Sequence, residues 1–179
     1  MKKLNLLFGK LALLCAVSSG MLVSCQTSVD TPIINCPGMS IMGRIGDTSS
    51  RLNLSGATLF RQENDSAFSK YLSIEALSDS MKVIINIIDG PYTDGKIADD
   101  SIHTQTYYFS RSRKIQGGLV VAGVRSLGDY NYLTTDSSQV TITRINTKHQ
   151  TVSGNYTFYA NGNITGSGVF DNVCYVSLH

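Results

Sequence analysis

From about residue 40 onward the chain alternates apolar and polar positions, a period of two that builds strands with one face toward a core. Val152, Gly154, Tyr156, Phe158 and Ala160 alternate with polar residues, and Asn161-Gly162-Asn163 then turns the chain into a last hairpin strand. Ser40–Ile45, Ala57–Gln62, Thr104–Phe109, Leu119–Arg125 and Val140–Ile145 read as further short strands. In Met81–Ile88 the apolar set Met81, Val83, Ile85 and Ile87 is joined on the other face by Ile84 and Ile88, which predicts a central strand covered on both sides. Between Asp65 and Leu77 two periods compete. Phe68, Tyr71, Leu72 and Glu75 have helical spacing, whereas Leu72, Ile74 and Ala76 have strand spacing, and the second half is assigned to a strand. About nine or ten strands separated by Gly, Asn, Asp and Ser turns predict an antiparallel β-sandwich or a barrel. A lipocalin-type barrel carries a Gly-x-Trp signature, and this chain has no tryptophan. Sandwich is the expectation.

The first 24 residues do not share this pattern. Met1-Lys2-Lys3 precedes a short apolar run centred on Leu11–Val17, and Lys10 interrupts any span of the roughly 20 residues a membrane helix needs. Leu22-Val23-Ser24-Cys25 resembles the bacterial lipobox. That resemblance implies cleavage before Cys25, a diacylglyceryl thioether on its sulfur and an acylated (palmitate-type) amino terminus. Several acyl chains anchor durably, each buried methylene contributing about 0.8 kcal/mol. The expected organisation is a lipoprotein signal peptide over 1–24, a lipidated Cys and tether over 25–38, and one domain over 39–179. The tether, with Pro32 and Pro37, has a reach of roughly 20 Å if flexible. Gln26 follows Cys25 where Asp would resemble an inner-membrane retention signal, so the outer membrane is expected, with its surface and periplasmic faces both open.

Removing the leader changes the cysteine and charge arithmetic. Cys36 and Cys174 remain as a disulfide candidate in an oxidising compartment, closing a loop worth about 5 kcal/mol as an upper bound. The leader holds Lys2, Lys3 and Lys10 of the chain's 15 cations and none of its 13 acids, so the remainder is net −1. A binder of polyanions with a globally positive surface is thereby excluded. At this length one domain buries roughly two-thirds of its unfolded surface.

The C-terminal third contains a tyrosine-rich strand (Tyr130-Asn-Tyr-Leu-Thr-Thr135), Val140-Thr-Ile-Thr, Val152-Ser-Gly-Asn-Tyr-Thr-Phe158 and Gly166-Ser-Gly-Val-Phe-Asp-Asn-Val173. This succession resembles small Bacteroidetes-type lipoproteins of uncharacterised function. The resemblance implies an antiparallel β-sandwich tethered to the envelope, with no active site to carry over. Gly154, Gly166 and Gly168 then mark bulges or close backbone approach. Asp65-Ser66, Asp79-Ser80 and Asp100-Ser101, each followed by an apolar residue, resemble the O-glycosylation acceptor pattern of such bacteria, making Ser66, Ser80 and Ser101 candidates. Asp-Ser pairs are also ordinary turn residues.

Catalytic constellations are hard to assemble from this chain. The histidines are His103, His149 and His179, and Thr165-Gly-Ser-Gly-Val169 lacks nucleophile-elbow spacing. No enzyme activity and no cofactor are expected. The acidic loop 89–103 offers Asp89, Asp94, Asp99 and Asp100 as a calcium candidate, although Lys96 sits among them and the spacing matches no established calcium loop. Zinc through Asp99, Asp100 and His103 would want a fourth ligand.

Tyr107, Arg111, Arg113 and Lys114 could grip an acidic glycan, with Tyr130 and Tyr132 as a second aromatic pair. Alternate strand residues face opposite ways, which argues for core packing of some of these rings. The compartment argues against nucleic acid. The expected function is therefore a lipid-anchored binding protein of the outer envelope whose ligand is a glycan, a host protein or an envelope component. The alternative is an accessory subunit docked through strand addition. Exposure of Tyr130, Tyr132 and the 107–114 side chains on one concave face would favour the first.

Overall fold

The computed structural model describes residues 36–62 and 68–178. They form thirteen strands and one helical turn, in two packed sheets. The strands are β1 (Ser40–Ile45), β2 (Thr48–Arg51), β3 (Asn53–Gln62), β4 (Ser69–Leu77), β5 (Met81–Asp89), β6 (Thr106–Ser110), β7 (Ile115–Gln116), β8 (Gly118–Ser126), β9 (Asp129–Tyr132), β10 (Thr135–Asn146), β11 (Thr151–Ala160), β12 (Ile164–Cys174) and β13 (Val176–Leu178). The helical turn α1 is Asp94–Ile97. One sheet has seven strands in the order β2-β1-β12-β11-β10-β6-β7, and the other has six in the order β13-β3-β4-β5-β8-β9. All pairings are antiparallel except β13 on β3.

The excess over nine or ten strands comes from β2, β7, β9 and β13, pieces of two to four residues that form the four sheet edges. Short edges leave little unpaired backbone to template another chain. The segment with competing periods is strand from Ser69, with Phe68 at φ 45° just before it. Strand β5 is central, as its pattern predicts, but one face is not covered as expected. Met81, Val83, Ile85 and Ile87 are buried between the sheets, while Ile84 and Ile88 are half-buried on the sheet's outer surface.

The core lies between the sheets and is built from the inward positions of nearly every long strand. Of the five chain segments that pass from one sheet to the other, three show how the layers are held in register. Leu52, between β2 and β3, is buried and donates its N–H to the Ile41 carbonyl at 2.9 Å. Tyr175 links β12 to β13. At the third corner, β9 leads into β10 alongside β8, and side chains replace rungs of the backbone ladder. Buried Ser138 accepts from the Val120 N–H at 3.1 Å and donates to the Gly118 carbonyl at 2.7 Å, while Thr135 donates to the Val120 carbonyl at 2.5 Å. No backbone group at this buried corner need go unpaired. Gly118 is required there: a Cβ would lie 2.5 Å from the Tyr107 carbonyl oxygen.

The glycines singled out from sequence are close-approach positions. A Cβ on Gly154 would meet the Thr141 carbonyl oxygen at 2.3 Å, at a break in register between β11 and β12. Cβ atoms on Gly166 and Gly168 would overlap the rings of Phe158 and Tyr156. Cys36 and Cys174 are joined by a disulfide, with Cα atoms 5.8 Å apart, so the buried Cys36 belongs to the folded body and not to a free tether.

Candidate functional site

Two polar regions stand out, and the charged and aromatic residues chosen from sequence divide between them and a third place. Tyr107 is buried, and its hydroxyl donates to the His103 carbonyl at 2.8 Å, which corrects its assignment to a binding surface: it is a core residue. Arg111, Arg113 and Lys114 form the exposed turn between β6 and β7. Tyr130 and Tyr132 lie on the outer face of the other sheet, both against Gly123. The Tyr130 hydroxyl donates to the Ser78 carbonyl at 2.5 Å, while Tyr132 is half exposed. The expected single concave face joining the 107–114 and 130–132 side chains is therefore not formed.

The first polar region surrounds the loop 89–105. Asp89 is fully buried at the end of β5. Its carboxylate accepts from the Tyr92 hydroxyl, the His103 N–H at 2.8 Å, the His103 Nδ1 at 3.0 Å and the Gln105 amide at 3.4 Å. Lys70, the register partner of Asp89 on β4, is also fully buried. It donates to Asp99 at 2.6 Å and to the Ser101 carbonyl at 2.8 Å, with its ammonium 4.1 Å from the centre of the Tyr92 ring. Arg61 pairs with Asp100 and donates to the Asp99 and Leu178 carbonyls and the Ser177 hydroxyl, each at 3.0 Å.

Burial pushes the Asp89 carboxyl up, but the hydrogen bonds from Tyr92 and His103 outweigh it and hold it below its ordinary range. Burial likewise opposes the Lys70 and Ser101 donors at Asp99, and the donors win. The Ser177 hydroxyl and Arg61 lower Asp100 against a smaller burial effect. Burial raises the phenol of Tyr92 well above its ordinary value and, with the nearby Asp100, pushes Tyr175 up to about 12.

These carboxylates are spent on protein donors. Asp89, Asp94, Asp99 and Asp100 do not converge, and among the described residues no group of three or more His, Cys, Asp or Glu side chains could hold a metal. The calcium and zinc assignments are corrected accordingly: the cations here are Lys70 and Arg61. His103 meets one carboxylate, Asp89, and stacks on Tyr92 with ring centres 4.7 Å apart, while His149 lies exposed in the turn before β11.

Of the serines resembling O-glycosylation acceptors, Ser80 is exposed in the β4–β5 turn. Ser101 is half-buried, with its carbonyl held by Lys70 and the preceding Asp100 held by Arg61. Ser66, His179 and the lipid-attachment candidate Cys25 lie outside the described residues.

The second polar region is the outer face of the seven-stranded sheet. An open groove of about 910 Å³ runs beside the β6–β7 turn. Its floor carries Ser137, Gln139 and Thr157, and its walls carry Tyr108, Tyr159, Ile115 and Arg113. Tyr108 is 54% exposed and Tyr159 38% exposed. A smaller groove of about 330 Å³ continues across the same face past Ser167 and Arg44 and shares Thr157 with the first. Strand spacing and rise put the Cα atoms of Tyr108 and Tyr159 roughly 12 Å apart. At the groove's end Asp136 is occupied, its carboxylate accepting from the Gly162 N–H at 2.9 Å and its carbonyl from the Arg111 N–H at 2.9 Å.

Sequence reasoning chose Tyr107 where the groove presents Tyr108, its neighbour on the opposite face of β6. It also passed over Tyr159, although the inward alternation of Tyr156, Phe158 and Ala160 already places residue 159 outward. No family model, curated protein or solved structure matches the chain.

Proposed function

We propose that this protein is a non-catalytic, lipid-anchored binding protein of the outer envelope whose seven-stranded sheet takes a glycan along the groove between Tyr108 and Tyr159. One observation carries the reading: two exposed phenol rings flank a floor of Ser, Gln and Thr side chains on an open sheet face. Tyrosine offers an apolar ring face to stack on a sugar and a hydroxyl to hydrogen-bond it, and the floor supplies donors and acceptors for sugar hydroxyls. The anchor at Cys25 and the outer-membrane address rest on the leader, tether and Gln26 as read from sequence. Cys36 is stapled to the last residue of β12, whereas the groove borders the first residues of that strand, roughly 30 Å away along it.

The test is a glycan array probed with the full chain purified in detergent, alongside Tyr108→Ala and Tyr159→Ala. Binding by the parent and loss of it in both variants, with unchanged melting temperature, supports the proposal. Binding that both variants retain contradicts the assignment to this groove.

A second reading, the accessory subunit, is favoured by the outer face of the six-stranded sheet. Phe60 stacks on Tyr71 with ring centres 5.1 Å apart, and Ile84, Ile88 and Val121 continue an apolar surface. The short sheet edges disfavour strand addition as the mode of docking. Crosslinks from this face to one envelope protein in intact cells would support the subunit over the glycan binder.

A further inference from the structure

The register of the seven-stranded sheet aligns one outward residue from each of six strands. Tyr108 on β6 is opposite Gln139 on β10, then follow Thr157, Ser167 and Arg44, ending at Ser49 on β2. At the ordinary strand spacing, Tyr108 and Arg44 are about 19 Å apart across the sheet. The row contains no acid, and neither does the next row, from Thr106 on β6 to Arg51 on β2. Cations stand at its two ends, with Arg113 on the wall beside Tyr108 and Arg44 in the smaller groove. Both are exposed, and among the described residues neither guanidinium has an ion-pair partner. Elsewhere Arg61, Lys70, Lys82, Arg125 and Arg144 are paired with carboxylates, while Arg51, Lys96, Arg111, Lys114 and Lys148 share with Arg44 and Arg113 the lack of an ion-pair partner among the described residues. What sets the two arginines apart is their place along the groove face.

From this alignment we infer that the ligand of this face is a linear acidic polysaccharide lying across the strands, with a carboxylate or sulfate on Arg113 at one end and another on Arg44. The inference rests on the glycan reading above and narrows it to a charge class. A net charge of −1 on the chain after its leader excludes a protein that is positive all over, but not one with a single positive face. Guanidinium forks match planar carboxylates and sulfates bidentately. The neutral centre of the row decides against nucleic acid. A single strand carries a phosphate about every 3.4 Å as it lies in a duplex and would want cations along the whole path, whereas Gln139, Thr157 and Ser167 supply none. A polysaccharide with acid groups on only some of its sugars fits cations separated by the neutral stretch of Gln139, Thr157 and Ser167.

The experiment is calorimetric titration of the full chain in detergent with four probes: a tetrasaccharide with a uronic acid at alternate sugars, its methyl-esterified neutral form, a tetrasaccharide sulfated at alternate sugars, and an oligothymidylate. At least one acidic tetrasaccharide should bind more tightly than the neutral form by about tenfold or more, and added salt should erode the difference. Arg44→Gln and Arg113→Gln should each weaken the acidic probe by about threefold to tenfold and leave the neutral probe unchanged. Both residues are exposed and unpaired, so unchanged melting temperatures will verify the fold of the variants. Equal binding of acidic and neutral probes overturns the charge assignment and leaves the glycan reading standing. Binding of no tetrasaccharide, with or without charge, overturns both. Tighter binding of the oligothymidylate assigns the face to a different polymer and overturns the inference.

Discussion

The loop network around Asp89 and the groove beside Tyr108 are both rich in tyrosine, charge and hydroxyl groups, yet they use these groups in opposite ways. Around Asp89 the donors that bind carboxylates are held within the protein: Tyr92, His103 and Gln105 on Asp89, Lys70 on Asp99, Arg61 on Asp100. In the groove the rings of Tyr108 and Tyr159 are exposed, and among the described residues Arg113 has no ion-pair partner. Side chains already satisfied inside a protein hold structure, because breaking a buried pair leaves an uncompensated charge. Side chains left open on a rigid sheet hold ligand-binding capacity. Ranked by charge density alone, the 89–105 loop would have looked like the functional site; ranked by unspent bonding capacity, the sheet face is the one proposed.

The largest effect that could break this contrast is on Asp89. Asp89→Ala removes the buried acceptor shared by four donors, the Tyr92 hydroxyl among them in a buried residue, and should cost about 3–5 kcal/mol in urea or thermal unfolding, without altering binding in the residual folded fraction. A cost under about 1 kcal/mol would show that the network does not carry the fold. Next, replacing Cys36 and Cys174 together by Ser should lower stability by about 2–5 kcal/mol, because the bridge spans 138 residues of sequence. Reducing agent should reproduce this loss in the parent and change nothing in the double variant.

Acid sharpens the same comparison. Asp89, Asp99 and Asp100 all titrate below their ordinary value of 3.8 in the folded state. A carboxyl depressed by folding stabilises the native state fully above its unfolded pKa and loses that contribution as pH falls toward its folded value. Stability should therefore be level from neutral pH to somewhat above 3.8 and decline below it. In Asp89→Asn that decline should be shallower. A melting temperature that falls just as steeply in the variant would remove Asp89 from the account.

The smallest stability effect separates two adjacent tyrosines. Tyr107→Phe removes a buried hydrogen bond to the His103 carbonyl and should cost about 1 kcal/mol, with binding unchanged. Tyr108→Ala, one residue along and on the other face, should stay within about 0.5 kcal/mol of the parent in stability and weaken binding by about tenfold.

That pair also shows what was legible in the sequence. The all-β architecture and the positions of the long strands follow from alternation, and Val152 to Ala160 is the cleanest case. Alternation sorts residues into two faces but does not say which is inward when both carry aromatics. Tyr107 and Tyr108 are such a pair, and only packing against Gly118 of the opposite sheet puts Tyr107 inside. In β5 the extra apolar residues Ile84 and Ile88 suggested a covering layer, whereas the structure leaves them half-buried on an outer surface. The acidic run 89–100 suggested a metal because its neutralising cations are remote in sequence. Lys70 precedes Asp99 by 29 residues and Arg61 precedes Asp100 by 39, and only the fold brings them together. The row from Tyr108 to Ser49 draws one residue from each of six strands, so it exists in register alone and no local motif could have announced it.

The most direct test of the central claim is backbone amide NMR of the labelled full chain in detergent, titrated with whichever oligosaccharide binds best. Shift changes concentrated at Tyr108, Gln139, Thr157, Tyr159 and Ser167, with Asp89 and His103 unmoved, are the predicted result. Changes centred instead on Tyr71, Ile84 and Val121 of the other sheet, or on the 89–105 loop, would contradict it.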